Sequence, residues 1–104
     1  MDVFEVLADP RRRQVLELLS VRPRRAGELA DATGMSAPAM SRHLKTLLDA
    51  GVVEDERTPD DARLRVFRLR PQTLVAVQAF LDQLQAEWDT QLRAFKQHVE
   101  AKRR

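Results

Sequence analysis

The sequence predicts a mainly α fold with one small β-hairpin (α+β). Three observations carry that prediction. Apolar residues recur at helical spacing over most of the chain. One short stretch, Val52–Arg57 and Leu64–Leu69, instead alternates about the turn residues Thr58-Pro59-Asp60-Asp61. Finally, a seam of Leu, Val, Trp and Phe, with one extra step at Trp88, runs through the last thirty or so residues, from about Pro71 to Ala101.

The 104 residues argue for one domain, 1–104. A chain of this size buries only roughly two-thirds of its unfolded surface, so it gains from oligomerisation. There are no cysteines, which removes disulfides and thiolate metal sites. No apolar run approaches the ~20 residues of a membrane span. The start, Met1-Asp2-Val3-Phe4-Glu5, is acidic and unlike a signal peptide, so a cytoplasmic protein without membrane partners is expected. Net charge is only +2, but it is unevenly spread. Residues 1–9 hold three acids and no base; residues 10–50 hold eight bases against four acids. The basic excess favours a polyanion over a membrane, because no helix pairs a wide apolar face with a Lys/Arg face.

Val3, Phe4, Val6 and Leu7 predict a short first helix over about 2–8. Asp9-Pro10 restarts the backbone, with Asp as N-cap and Pro at the first helical position. The second helix runs to about Ser20 and buries some combination of Val15, Leu16, Leu18 and Leu19. Its first turn holds Arg11, Arg12 and Arg13, unfavourable for the helix dipole, which suggests an external anion or an acidic neighbour. Arg22-Pro23-Arg24 reads as a loop. A third helix follows at about Ala26–Ala32, with Leu29 and Ala30 inward, closed by Thr33-Gly34.

The stretch Gly34–Leu48 is the most telling. Ser36 is a fitting N-cap, Pro38 sits where a missing N–H costs nothing, and Gly51 suits a left-handed cap after a helix of about Ser36–Ala50. At 100° per residue Met40, Leu44, Leu47 and Leu48 share one side. Pro38, Ser41, Arg42, Lys45 and Asp49 share the other. That polar side starts with short side chains, so a flat surface can approach it. A short helix, a turn and such a helix form a helix-turn-helix, whose second helix enters a DNA groove.

In the hairpin, Phe67 and Leu69 share a face and Leu64, Val66 and Arg68 the other, with Glu56 expected opposite Arg65. The last helix carries Leu74, Val77, Leu81, Leu84, Trp88, Leu92, Phe95 and Val99, a coiled-coil-like seam. At about 46 Å it would outrun a domain whose radius of gyration is about 13 Å. A second copy of the same helix is the simplest cover for its apolar side.

This element order is that of a winged helix-turn-helix, made dimeric by its long C-terminal helix. Ala8-Asp9-Pro10-Arg11-Arg12, Gly27-Glu28-Leu29-Ala30, Ser36-Ala37-Pro38-Ala39-Met40-Ser41-Arg42-His43-Leu44 and Leu48-Asp49-Ala50-Gly51-Val52-Val53 together resemble the ArsR/SmtB family of bacterial transcriptional repressors. The resemblance spans roughly residues 2–70. It implies a homodimer that binds a pseudo-palindromic double-stranded DNA operator, often its own promoter, and releases it when an effector binds. The helix-turn-helix is then 26–50, the wing 52–69, and the dimerisation helices 1–8 and 71–101. Phe4, Leu7, Leu74, Val77, Leu81, Leu84, Trp88, Leu92 and Phe95 are the expected dimer interface.

Ser36, Ala37, Pro38, Ser41, Arg42, His43 and Lys45 are the candidate DNA contacts on the helix, with Arg57 and Arg63 on the wing. Arg42 can read a guanine edge bidentately, whereas Ser36, Ser41 and Lys45 suit phosphate. His43 lies between the polar face and Leu47, so packing competes with base contact. On the wing, Glu54, Asp55, Glu56, Asp60 and Asp61 oppose DNA, and some arginines there are expected only to neutralise carboxylates. Metal sensing is disfavoured: cysteines are absent, the third helix offers Glu28 and Asp31, and the last offers one histidine, His98. A His/carboxylate metal site, or an interaction module without DNA binding, are the alternatives. No cofactor is expected and the effector is left open. An enzyme is disfavoured, since Ser41 and His43, two apart on a helix, point apart.

Overall fold

The computed structural model describes residues 2–61 and 64–103. Two compact units result, Met1–Pro71 and Gln72–Arg104. The first contains α1 (Val3–Ala8), α2 (Pro10–Val21), β1 (Arg24–Arg25), α3 (Ala26–Thr33), α4 (Ala37–Asp49), β2 (Val53–Arg57) and β3 (Arg65–Leu69). Helix α5 runs Pro71–Lys102. This is the predicted mainly α, winged helix-turn-helix arrangement, with α3–α4 as the helix pair and β2–β3 as the wing.

Local chemistry explains the boundaries. Asp2 caps α1 by accepting the Glu5 N–H at 3.0 Å, and Asp9 caps α2 by accepting those of Arg11 and Arg12. The Arg11–Arg13 cluster does not require an outside anion. Arg12 Nε donates to the Val6 carbonyl at 2.9 Å, and Arg13 Nη1 to those of Leu7 and Ala8 at 2.8 and 3.0 Å. Two of the three arginines therefore satisfy carbonyls that the end of α1 leaves open.

Arg24, which reads from the sequence as loop, joins Arg25 in a two-residue strand. The two pair antiparallel with Phe67 and Val66, giving a three-stranded sheet in the order β1-β3-β2. A two-residue edge strand has no periodicity of its own; only its partner across the fold defines it. Gly34 closes α3 at φ 73° while Thr33 Oγ1 donates to the Leu29 carbonyl at 2.7 Å. At the other end of α4, Gly51 takes φ 72°. Its N–H donates to the Leu48 carbonyl and that of Val52 to the Leu47 carbonyl, a Schellman closure.

The wing register differs by one residue from expectation. Glu56 lies opposite Val66 and Arg57 opposite Arg65. The reason is the connection, which is wider than one tight turn. Thr58 N–H donates to the Leu64 carbonyl, and Thr58 Oγ1 accepts the Asp61 N–H at 3.2 Å.

The core lies wholly in the first unit. Val6, Val15, Leu19, Leu29, Ala30, Met40, Leu44, Leu47, Val52, Val53 and Phe67 are buried, and Leu16 and Leu18 pack partly against them. Every element of that unit except β1 contributes, so the apolar stripe of α4 is what fixes its polar face outward. Along α5 no residue is buried; Trp88 is 57% exposed and Phe95 66%. Leu74, Leu81, Leu84 and Leu92 are exposed as well, and Val77 is half-buried. No helix among the described residues is long and apolar enough to cross a membrane.

Candidate nucleic-acid interface

Helix α4 begins at a worked N-terminus. Ser36 Oγ accepts the Ala39 N–H at 3.2 Å, leaving its own proton available to a phosphate oxygen. Ala37 and Pro38 follow, exposed and short, so a duplex surface can approach the positive end of the helix dipole. The buried Met40, Leu44 and Leu47 turn Ser41, Arg42 and Lys45 into solvent.

These side chains differ in how committed they are. Arg42 is exposed, and among the described residues its guanidinium has no hydrogen-bond or ion-pair partner. A planar fork of five donors that the fold leaves unused is suited to a guanine edge or a phosphate. Lys45 faces Asp49 at 3.5 Å, but both are largely exposed, and such a pair contributes little and exchanges readily.

His43 is half-buried, not free on the polar face. Its charge acts on Asp9, at the start of α2. Burial pushes the Asp9 carboxyl up, but the Arg11 and Arg12 N–H groups, the Arg12 guanidinium and His43 together hold it below the usual carboxylate value.

The wing spends its arginines internally. On one face Arg65 Nε donates to Asp55 Oδ2 at 2.8 Å, its guanidinium 5.1 Å from the centroid of the Phe67 ring. On the other, Arg68 bridges Glu54 at 2.9 Å and Glu56 at 3.1 Å. The expected neutralisation occurs, but Arg65 pairs with Asp55 and not with Glu56, which Arg68 takes instead. Arg57 is exposed at the wing, opposite Arg65, and Arg63 lies outside the described residues.

Sequence reading missed Arg24 and Arg25 as structural residues. Arg24 Nε donates to the Leu18 carbonyl at 3.2 Å, closing α2. Glu28 accepts from Arg22 Nη2 at 3.0 Å and from the Arg25 N–H, and these contacts hold its carboxyl below the usual range. Among the described residues no group of three or more His, Cys, Asp or Glu is placed to hold a metal ion.

Comparison with known proteins agrees with this geometry. Residues 9–55 match the profile of "Bacterial regulatory protein, arsR family". The chain is 37% identical over 98 residues to the HTH-type transcriptional regulator Rv2034 of Mycobacterium tuberculosis, covering 94% of this chain and 86% of that protein. An ArsR-like transcriptional regulator from Rhodococcus sp. RHA1 superposes with a TM-score of 0.79 at 32% identity, covering 91% and 87% of the two chains. The homodimeric winged helix-turn-helix DNA-binding domain Mb0332 from Mycobacterium bovis, known from a solution NMR structure, has a TM-score of 0.64 at 29% identity. That match covers 82% of this chain and 76% of the Mycobacterium bovis fragment. The chain belongs to the ArsR family of bacterial regulatory proteins, winged helix-turn-helix transcriptional regulators that bind DNA.

Proposed function

We propose that the protein is a homodimeric cytoplasmic repressor of a pseudo-palindromic operator, in which each copy lays α4 into a major groove. The whole chain, 1–104, then acts as one domain. The observation that carries this reading is the exposed, uncommitted Arg42 at the centre of a short-armed polar face whose opposite side is locked in the core. Ser36, Ala37, Pro38, Ser41 and Lys45 position the helix on phosphates, and Arg42 reads a base edge. Half-burial of His43 favours a positioning role for it. On the wing, Arg57 and Arg63 supply the phosphate contact; Arg65 and Arg68 face carboxylates.

Two copies pair through the seam Leu74, Val77, Leu81, Leu84, Trp88, Leu92 and Phe95, joined by Phe4 and Leu7 of α1. The exposure of large apolar side chains along α5 and the homodimeric relative support that pairing. A non-metal signal for DNA release is favoured, because the chain has no cysteine and Glu28 of α3 is already engaged by Arg22. Selection of binding sites from random duplex DNA tests the reading. It should return an inverted repeat with half-sites about one helical turn, roughly 34 Å, apart. A pool that stays unenriched overturns it.

A further inference from the structure

A groove of about 780 Å³ lies between the start of α3, α4 from Ser41 onward, and β3. Its size falls in the range of small-molecule sites. Leu44, Leu48, Leu64 and Phe67 give it an apolar lining, and Arg25, Lys45 and Arg65 stand against Glu28 and Asp49 at its rim. Three cations against two carboxylates leave one net positive charge.

The pairings show which cation that is. Glu28 is held by Arg22 at 3.0 Å and Arg65 by Asp55 at 2.8 Å, while Lys45 keeps a loose, exposed 3.5 Å contact with Asp49. The Arg25 guanidinium has no hydrogen-bond or ion-pair partner among the described residues, and its charge bears only at longer range on Glu28. An apolar trough with one unpaired guanidinium at its edge is complementary to an amphipathic monoanion. We propose that this groove binds a small amphipathic carboxylate, its chain along Leu48 and Leu64 and its head on Arg25, and that the bound carboxylate is the signal that releases DNA.

The second half rests on the DNA-binding reading above. Ser41 and Lys45 line the groove and also belong to the polar face of α4. An anionic head seated beside them competes with the phosphate backbone for the same donors. The ligand therefore binds the DNA-free state more tightly, which is the condition for it to act as a release signal.

Gly27 provides a clean block. It lines the groove, and a Cβ built on it meets no heavy atom within 4 Å. Gly27→Phe accordingly occupies groove volume without a clash at Cβ. The probe is octanoate, titrated calorimetrically into the full-length protein without DNA, with 1-octanol and acetate as controls. One saturable site per chain is expected, weakened about tenfold or more by Arg25→Ala and by loss of the charge in 1-octanol. Gly27→Phe should abolish it, with thermal melting of both variants unchanged. Absence of saturation, or equal affinity for octanoate in the wild type and both variants, overturns the site; the latter result would mean adsorption to apolar surface elsewhere. Saturating octanoate should then weaken operator binding about tenfold in the wild type and not in Gly27→Phe. Octanoate binding with unaltered DNA affinity overturns the release role and leaves the site standing. Octanoate binding by a protein that binds no DNA instead overturns the DNA reading.

Discussion

Arg12 donates from Nε to the Val6 carbonyl at 2.9 Å while its backbone N–H is capped by Asp9. One residue therefore closes the end of α1 and takes part in the start of α2. Its guanidinium also lies 3.8 Å from the Asp9 carboxylate, so the junction holds the cap, the counter-charge and the carbonyl together. His43 adds its charge to the same carboxylate from α4.

Replacing Asp9 by Ala removes that N-cap and should lower stability by about 0.5–2 kcal/mol. The pH dependence has a definite sign. The folded-state carboxyl is held below its ordinary value of 3.8, so its contribution is present above that value and is lost as pH falls through the depressed one. Acid unfolding followed by circular dichroism should be less steep in Asp9→Asn below about pH 4. An unchanged acid limb would contradict the role given to Asp9.

Leu47 is fully buried and supplies the carbonyl that accepts the Val52 N–H. Leu47→Ala opens a cavity beneath α4 and should cost about 2–5 kcal/mol in urea unfolding. The weaker operator affinity it causes should recover as the temperature is lowered, because the polar face itself is untouched.

On the wing, Arg57→Ala and Arg63→Ala together should reduce the slope of log affinity against log salt, by about one for each phosphate no longer neutralised. Arg68→Ala should leave that slope unchanged, because Arg68 is held by Glu54 and Glu56. Equal effects from all three positions would contradict the internal neutralisation of the wing.

Trp88 reports on pairing. In one chain it is 57% exposed, so an isolated protomer should emit at the wavelength of solvated indole. A dimer closed over α5 should blue-shift that emission, and dilution or Leu84→Asp should reverse the shift. Emission independent of both would contradict pairing through this helix.

Much of this is legible in the sequence because the signals are local. Ser36, Gly34 and Gly51 mark helix ends through side-chain caps and left-handed backbone, which depend on near neighbours only. The stripe Met40–Leu44–Leu47 fixes a face by periodicity alone. What escapes depends on distant partners. Arg24–Arg25 is a strand only because β3 lies beside it, and the wing register hangs on a connection that Thr58 closes with Leu64. Arg12 and Arg13 resemble an anion site in the sequence because the carbonyls that engage them lie at the end of another helix. The groove on which Arg25 borders likewise needs β3, which lies well beyond α3 and α4 in the chain.

Base reading by α4 through Arg42 is open to a single comparison. Fluorescence anisotropy would measure the affinity of wild type and Arg42→Ala for the selected operator and for a scrambled duplex at fixed salt. The wild type should prefer the operator strongly. Arg42→Ala should lose about 1–3 kcal/mol on the operator and much less on the scrambled duplex, so that the preference shrinks. An undiminished preference in Arg42→Ala, or equal losses on both duplexes, would contradict the account.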